Sequence, residues 1–261
     1  MKNNRSFADK QMLEYGILKP YSNIFAFSTT RHEGCGEGAY ATFNCTHYCG
    51  DNPEHVKANL EILATSMPIR PHAFIIPRQT HTTNVRVIED VFSQEELQDV
   101  DAVVTNLKNV CLCVSTADCV PVLLYDKEKQ VVAAIHAGWR GTVGRIVEKT
   151  LEVMKSHYGA EGKDVIACIG PSISLESFEV GDEVYAAFEE AGFDMTCIAR
   201  KYKKWHLDLW EANRLQLLAY GILPENIEVA DVCTYQCHED FFSARRLGIK
   251  SGRILSGIMM K

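Results

Sequence analysis

The 261-residue chain predicts an α+β fold, a single domain of mixed helices and strands over residues 1–261. Three observations predict it. Runs rich in Val, Ile and Leu recur at strand length, capped amphipathic stretches lie between them, and no repeat or low-complexity linker divides the chain. Hydrophobic residues make up 46% of the sequence, enough for a sizeable core and too many for disorder.

Residues up to Pro20 read as an edge strand or a loosely tied arm, and Asn23–Ser28 alternates as a strand. A glycine-rich loop follows from Thr29 to Gly38, whose G-x-G-x-G spacing fits neither a Walker A loop nor the dinucleotide fingerprint. Arg31 in this loop and the nearby Asn44 are candidates to face a ligand. Asp51-Asn52-Pro53 supplies a capping side chain and a first-turn proline, and Val56, Leu60, Leu63, Ala64 and Met67 continue at helical spacing. Cys45, His47, Cys49 and His55 match no zinc ribbon spacing and read as loop or packed thiols. Strands are expected at Ala73–Pro77 and Asn84–Glu89, with His81 at the polar junction between them, then a short helix at Ser93–Gln98 and a strand at Val100–Thr105.

The chain is organised around Val110–Arg145. Val110–Val114, Val120–Tyr125 and Val131–Ile135 have strand length and β-branched content, and Asp126–Gln130 between the last two reads as a hairpin turn. A loop symmetric about Lys127 and Glu128 sets Cys119 opposite His136, with Cβ atoms roughly 4.5–5.5 Å apart. A thiolate opposite an imidazole at a strand end suits metal ligation or a Cys/His nucleophile pair. Asp118 and the flexible Ala137–Gly141 segment beside them favour a site over a core. Thr142–Tyr158 is expected as one amphipathic helix whose N-terminus attracts phosphate. Beyond it, a strand at Asp164–Ile169, helices at Val184–Ala191 and Leu209–Ala219, and strands at Ile227–Val232 and Arg253–Met259 complete the chain. Cys233, Cys237 and His238 lack the spacing of a haem or zinc motif. In Phe241–Arg246, two aromatics beside Ser243 and two arginines read either as a clasp for a ring and a polar group or as core phenylalanines with exposed cations.

A formal charge of −7 argues against non-specific nucleic-acid binding, and no apolar run is long enough for a signal peptide or a membrane span. Ten cysteines without a secretion signal read as reduced thiols, hence a cytoplasmic protein.

Several segments together resemble the bacterial YfiH proteins, historically called polyphenol oxidase or laccase-like and also known as purine nucleoside phosphorylases. They are Gln79-Thr80-His81, Thr116-Ala117-Asp118-Cys119, His136–Thr142, Ile169-Gly170-Pro171 and Phe241–Arg246, in order across about Phe27 to Met259. The resemblance implies a mixed α/β sandwich like the cytotoxic necrotizing factor catalytic domain. It also implies a mononuclear zinc site with His81, Cys119 and His136 as ligands and an open fourth position, zinc being expected in preference to copper. The implied partners are phosphate and the purine nucleosides adenosine, inosine and methylthioadenosine, with phosphorolysis of all three and deamination of adenosine, in a monomer or small homo-oligomer. Asp118, Asn44 and Arg140 are the expected catalytic residues, and Arg31, Gln79, Ser243 and Arg245 the expected substrate contacts. Asp118 is the nearest carboxylate to shuttle protons, though strand alternation equally directs its side chain away. Arg140 is expected to hold phosphate. Ala244 and Leu60 stand where the family usually has an aromatic ring and an arginine. The usual zinc deaminase signature, H-x-E with P-C-x-x-C, is absent. None of the nine histidines lies two residues from another, so the paired H-x-H motifs of multicopper enzymes are absent too.

Overall fold

The computed structural model describes residue 7, residues 10–90 and residues 97–261. In chain order its elements are β1 (Met12–Glu14), β2 (Ile24–Thr29), α1 (Pro53–Ser66), β3 (Ala73–Ile75), β4 (Val85–Val87), β5 (Ala102–Thr105), β6 (Val110–Thr116), β7 (Val120–Asp126), β8 (Val131–Ala137), α2 (Trp139–Val143) and α3 (Ile146–Tyr158). There follow β9 (Val165–Ile169), β10 (Glu179–Val180), α4 (Asp182–Glu190), α5 (Met195–Ile198), β11 (Ala199–Lys201), β12 (Trp205–Leu207), α6 (Leu209–Ala219), β13 (Ile227–Val229), α7 (Ala244–Leu247) and β14 (Ile254–Met260).

The strands form a five-stranded sheet in the order β1-β2-β14-β6-β3 and a six-stranded sheet in the order β13-β9-β7-β8-β5-β4. Side-chain alternation explains how they stack. Leu112 and Val114 of β6, Ile254 and Ile258 of β14, Val103 of β5, Leu123 of β7, and Val132 and Ala134 of β8 share the core between the sheets. The opposite faces of β5, β7 and β8 carry Val104, Val122, Leu124, Ala133 and Ile135, which pack with Ile146, Leu151 and Met154 of α3 and Leu217 of α6. On the far side, Cys111 and Cys113 of β6 and Leu255 and Met259 of β14 pack with Leu63 of α1. The result is an α+β sandwich of two sheets, helix-covered on both outer faces. Central strands buried on both faces need continuous apolar runs, which is why β6, β7 and β8 read as unbroken rather than alternating.

Asn52 caps α1, accepting from Glu54 N, with Pro53 in the first turn. Asp208 caps α6 in the same way, accepting from Glu211 N. Of the expected N-terminal edge strand or arm, Met12–Glu14 forms the edge strand β1, pairing antiparallel with β2, and residues 1–6, 8 and 9 lie outside those described.

Two expectations are corrected, and one feature is new. The β7–β8 hairpin pairs Asp126 with Val131 and Pro121 with His136, two residues out of the expected register. Asp126 is the cause: its Oδ1 accepts Glu128 N and Lys129 N, so the residue ends the strand and turns the loop over Lys127–Gln130. The expected helix from Thr142 to Tyr158 is two helices. It begins earlier, at Trp139, and breaks at Gly144-Arg145, where Arg145 adopts a left-handed conformation with φ of 61°. A small third sheet, β10-β12-β11, was not expected; its strands have only two or three residues each. The helix expected at Ser93–Gln98 falls largely on residues outside those described. No helix among the described residues is long and apolar enough to cross a membrane.

Leu124 is fully buried beneath the helix layer. Leu124→Ala should destabilise the fold by about 2–5 kcal/mol, read as a lower denaturant midpoint with an unchanged slope.

Candidate metal centre

The site lies where β5, β7 and β8 end. His136 is the penultimate residue of β8, on the row of Val132 and Ala134 that faces the other sheet. Extending the β5–β8 register by one residue from the Ala102–Ile135 pair sets Asp101 opposite it, and His136 N donates to Asp101 O at 2.7 Å. Cys119 lies just before β7. The hairpin register places it beside Gly138 rather than His136, yet the two-residue slip preserves face parity, so thiol and imidazole stay diagonal neighbours. His81 comes from the loop joining β3 to β4, in a left-handed conformation with φ of 65°.

These three side chains converge. His Nε2 or Nδ1 and Cys Sγ donor atoms of His81, Cys119 and His136 lie within 4.8 Å of one another. Cys119 Sγ is 3.7 Å from His81 Nε2, and the two imidazole rings meet nearly edge-on, with centroids 4.8 Å apart. His136 is buried, Cys119 half-buried and His81 exposed, so the group opens to solvent on one side. Gly138 allows this approach. A Cβ there would stand 2.9 Å from His81 Cδ2 and 3.0 Å from Cys119 Sγ.

Asp101 holds the arrangement and was missed in the sequence. Its carboxylate is fully buried. Oδ1 accepts from His136 Nδ1 at 2.7 Å and from His81 N at 3.0 Å; Oδ2 accepts from Thr82 N at 2.8 Å and Thr82 Oγ1 at 2.7 Å. Burial alone raises a carboxyl, but the hydrogen bonds from His136 and Thr82 prevail and hold this one down at about 2. With Nδ1 of His136 directed at a carboxylate, Nε2 is left as its donor, the carboxylate–histidine arrangement common beside metals. Burial also works against the charged forms of Cys119 and His136, and each is overcome by the other. The imidazole holds the thiol below its ordinary range, and the thiol, then Asp101, hold the imidazole above its own. The available signal for Asp101 was a charge inside an otherwise apolar strand, which is costly unless paired.

The other expected site residues stand as follows. Asp118 directs both carboxylate oxygens to protein donors, Thr234 Oγ1 and Arg245 N. Gln79 is engaged with Ser115, accepting from its N at 2.7 Å and donating to its O at 2.8 Å. Asn44 is buried, donating to Asp51 and accepting from Arg253 N. Arg31 donates to Ala41 O and His238 O and lies over the Phe242 ring. Ser243 caps α7, and Arg245 is exposed, donating to Glu179 O. Phe241 and Phe242 are fully buried core residues rather than a clasp. Arg140 is exposed on α2, stacked over Trp139 at 4.3 Å.

Residues 25–261 match the family model described as multi-copper polyphenol oxidoreductase laccase. The chain belongs to this family. Among its relatives, a Bacteroides thetaiotaomicron protein named purine nucleoside phosphorylase is 56% identical, with 97% of each chain covered. A protein from an unknown prokaryotic organism named adenosine deaminase RL5 is 42% identical over 94% of this chain and 97% of that one. The crystal structure of Bacillus licheniformis hypothetical protein YfiH is similar with a TM-score of 0.90, covering 99% of this chain and 100% of that one at 28% identity. The resemblance expected from the Thr116–Cys119 and His136–Thr142 segments is therefore shown at the level of family and fold.

Two substitutions test the support of the donors. Asp101→Asn keeps an acceptor for His136 but turns an NH2 toward Thr82, and Gly138→Ala drives a methyl between His81 and Cys119. Each should lower metal affinity roughly 10–100-fold in a chelator-competition titration.

Proposed function

We propose that this protein is a zinc-dependent purine nucleoside phosphorylase that also deaminates adenosine, acting in the cytoplasm on adenosine, inosine or methylthioadenosine. The observation that carries this reading is the His81–Cys119–His136 donor group in a chain 56% identical, over 97% of both lengths, to a protein named purine nucleoside phosphorylase. Two imidazoles and one thiolate suit zinc, and three protein donors leave a corner for a reactant. The paired histidine motifs that copper oxidases rely on are absent from the sequence.

When bound, zinc supplies Lewis-acid polarisation at that corner. The protein's residues do the rest. His136 and His81 are fixed through Asp101, and the solvent-facing side of His81 admits the nucleoside. Arg140, exposed two residues after Gly138, holds phosphate. Thr142 lies inside α2 rather than at a helix start, so it is the exposed cationic side chain of Arg140 that supports this role. In phosphorolysis a phosphate oxygen bonds to C1′ of the ribose as the bond to the purine nitrogen breaks, and the departing base takes up a proton. In deamination water adds at purine C6 and ammonia leaves.

A second reading has Cys119 as nucleophile and His136 as base in a metal-free hydrolase or deamidase. The thiol's lowered pKa beside the imidazole favours it.

Incubating the protein with each nucleoside, with and without phosphate, and weighing the products separates these. Free base formed only with phosphate is expected, with inosine from adenosine as the second product. If neither forms, and metal-free protein with an alkylatable Cys119 hydrolyses amides, the second reading replaces the first. Arg140→Ala should raise the phosphate KM about tenfold or more, about 1.4 kcal/mol of lost binding per decade. An unchanged KM removes Arg140 from the site.

A further inference from the structure

Asp118 adjoins a metal donor and yet faces away from it. Its backbone is left-handed, with φ of 85°, a region that side-chain-bearing residues adopt uncommonly. Such a residue persists only where its surroundings over-determine it. Here three separate segments do so. Oδ1 accepts from Thr234 Oγ1 at 2.7 Å, Oδ2 accepts from Arg245 N at 2.6 Å, and the backbone O accepts from Ile173 N at 3.0 Å. Arg245 N belongs to the first turn of α7, in which Arg246 N is taken by Ser243 Oγ at 3.2 Å. The side chain is thus pinned to the turn at Thr234 and the start of α7, and the backbone to the loop after β9. On the other side of Cys119, Val120 enters the β7 ladder opposite Ala137. The thiol-bearing residue is therefore held between a brace and a sheet.

We propose that Asp118 is a positioning residue that sets the direction of the Cys119 thiol, and not a carrier of protons at the reacting atoms. Both oxygens are committed to protein donors, and the reversed backbone turns the carboxylate toward α7 while Cys119 faces His81. The same brace makes α7 and the Thr234 turn part of the site's frame, although neither supplies a metal donor. It also ties together two segments far apart in the chain, Thr116–Cys119 and Phe241–Arg246.

The proposal rests on metal binding at His81, Cys119 and His136, and Co(II) titration tests the two separately, using its thiolate charge-transfer absorption. Wild-type protein should bind one equivalent and show the band. Asp118→Ala removes the brace and should weaken Co(II) binding roughly 10–100-fold, with the band shifted or reduced. Asp118→Gly, which relieves the left-handed backbone while also lacking the brace, should behave alike and guards against a variant that misfolds. Asp118→Asn can accept from Arg245 N and donate to Thr234, whose hydroxyl rotates to accept; it should restore affinity and band, and keep both limbs of the pH–rate profile. If Asp118→Gly binds Co(II) with wild-type affinity and band, the brace is overturned. If Asp118→Asn binds Co(II) normally but loses one limb of the profile, Asp118 carries a proton and the proposal is overturned. Wild-type protein that takes up no ion would instead overturn the metal reading on which the proposal depends.

Discussion

The fully buried carboxylate of Asp101 is the constraint on which this site depends. A charge removed from water is tolerated only when its lone pairs meet donors, and here every donor belongs to the site. His136 is fixed from β8, while the loop carrying His81 is drawn in through the N–H groups of His81 and Thr82. One residue at the end of one strand thereby joins two elements that share no sequence neighbourhood. Loss of the carboxylate would leave an unpaired imidazole N–H and remove the acceptor that holds the amides of His81 and Thr82.

The sandwich explains why that carboxylate lies where it does. The row of β8 that carries Val132 and Ala134 is dry between the sheets, and the next position on the same row is His136. A polar row extension at a strand end meets both the packed interior, which lowers the local dielectric, and the surface, which admits reactants. At that boundary the imidazole lowers the thiol's pKa and the thiol raises the imidazole's, a coupling stronger than the same pair would have in water.

Much of this was legible in the sequence, and the failures have physical reasons. Central strands betray themselves because burial on both faces needs unbroken apolar runs, so β6, β7 and β8 are plain. The hairpin register was two residues out because Asp126 was counted as loop, whereas its side chain builds the turn from the end of the strand. Parity saved the Cys119–His136 neighbourhood: a slip of two returns each side chain to the same face. The break at Arg145 left no mark in the pattern, because Val143, Ile146 and Val147 keep a helical spacing across it. The third sheet escaped because strands of two or three residues are too short to show a period. Asp101 escaped because its meaning lies in the β5–β8 pairing, a long-range fact that no local window contains. Arg31 and Gln79 also tie backbone segments together, a structural role that a polar residue beside a motif does not announce in sequence.

The choice between a metal centre and a bare Cys/His pair turns on His81. A nucleophile and its base need only two side chains, and Cys119 with His136 would serve without a third. His81 is nevertheless held in a left-handed backbone, which costs a non-glycine residue about 1–2 kcal/mol. Its amide is pinned by the same carboxylate that orients His136, and Gly138 is bare of a side chain where one would collide with its ring. Strain, a buried anchor and a cleared approach all converge on bringing one more imidazole to within 3.7 Å of a thiol. That combination is redundant for a two-residue mechanism and necessary for a third ligand, so the geometry favours the ion.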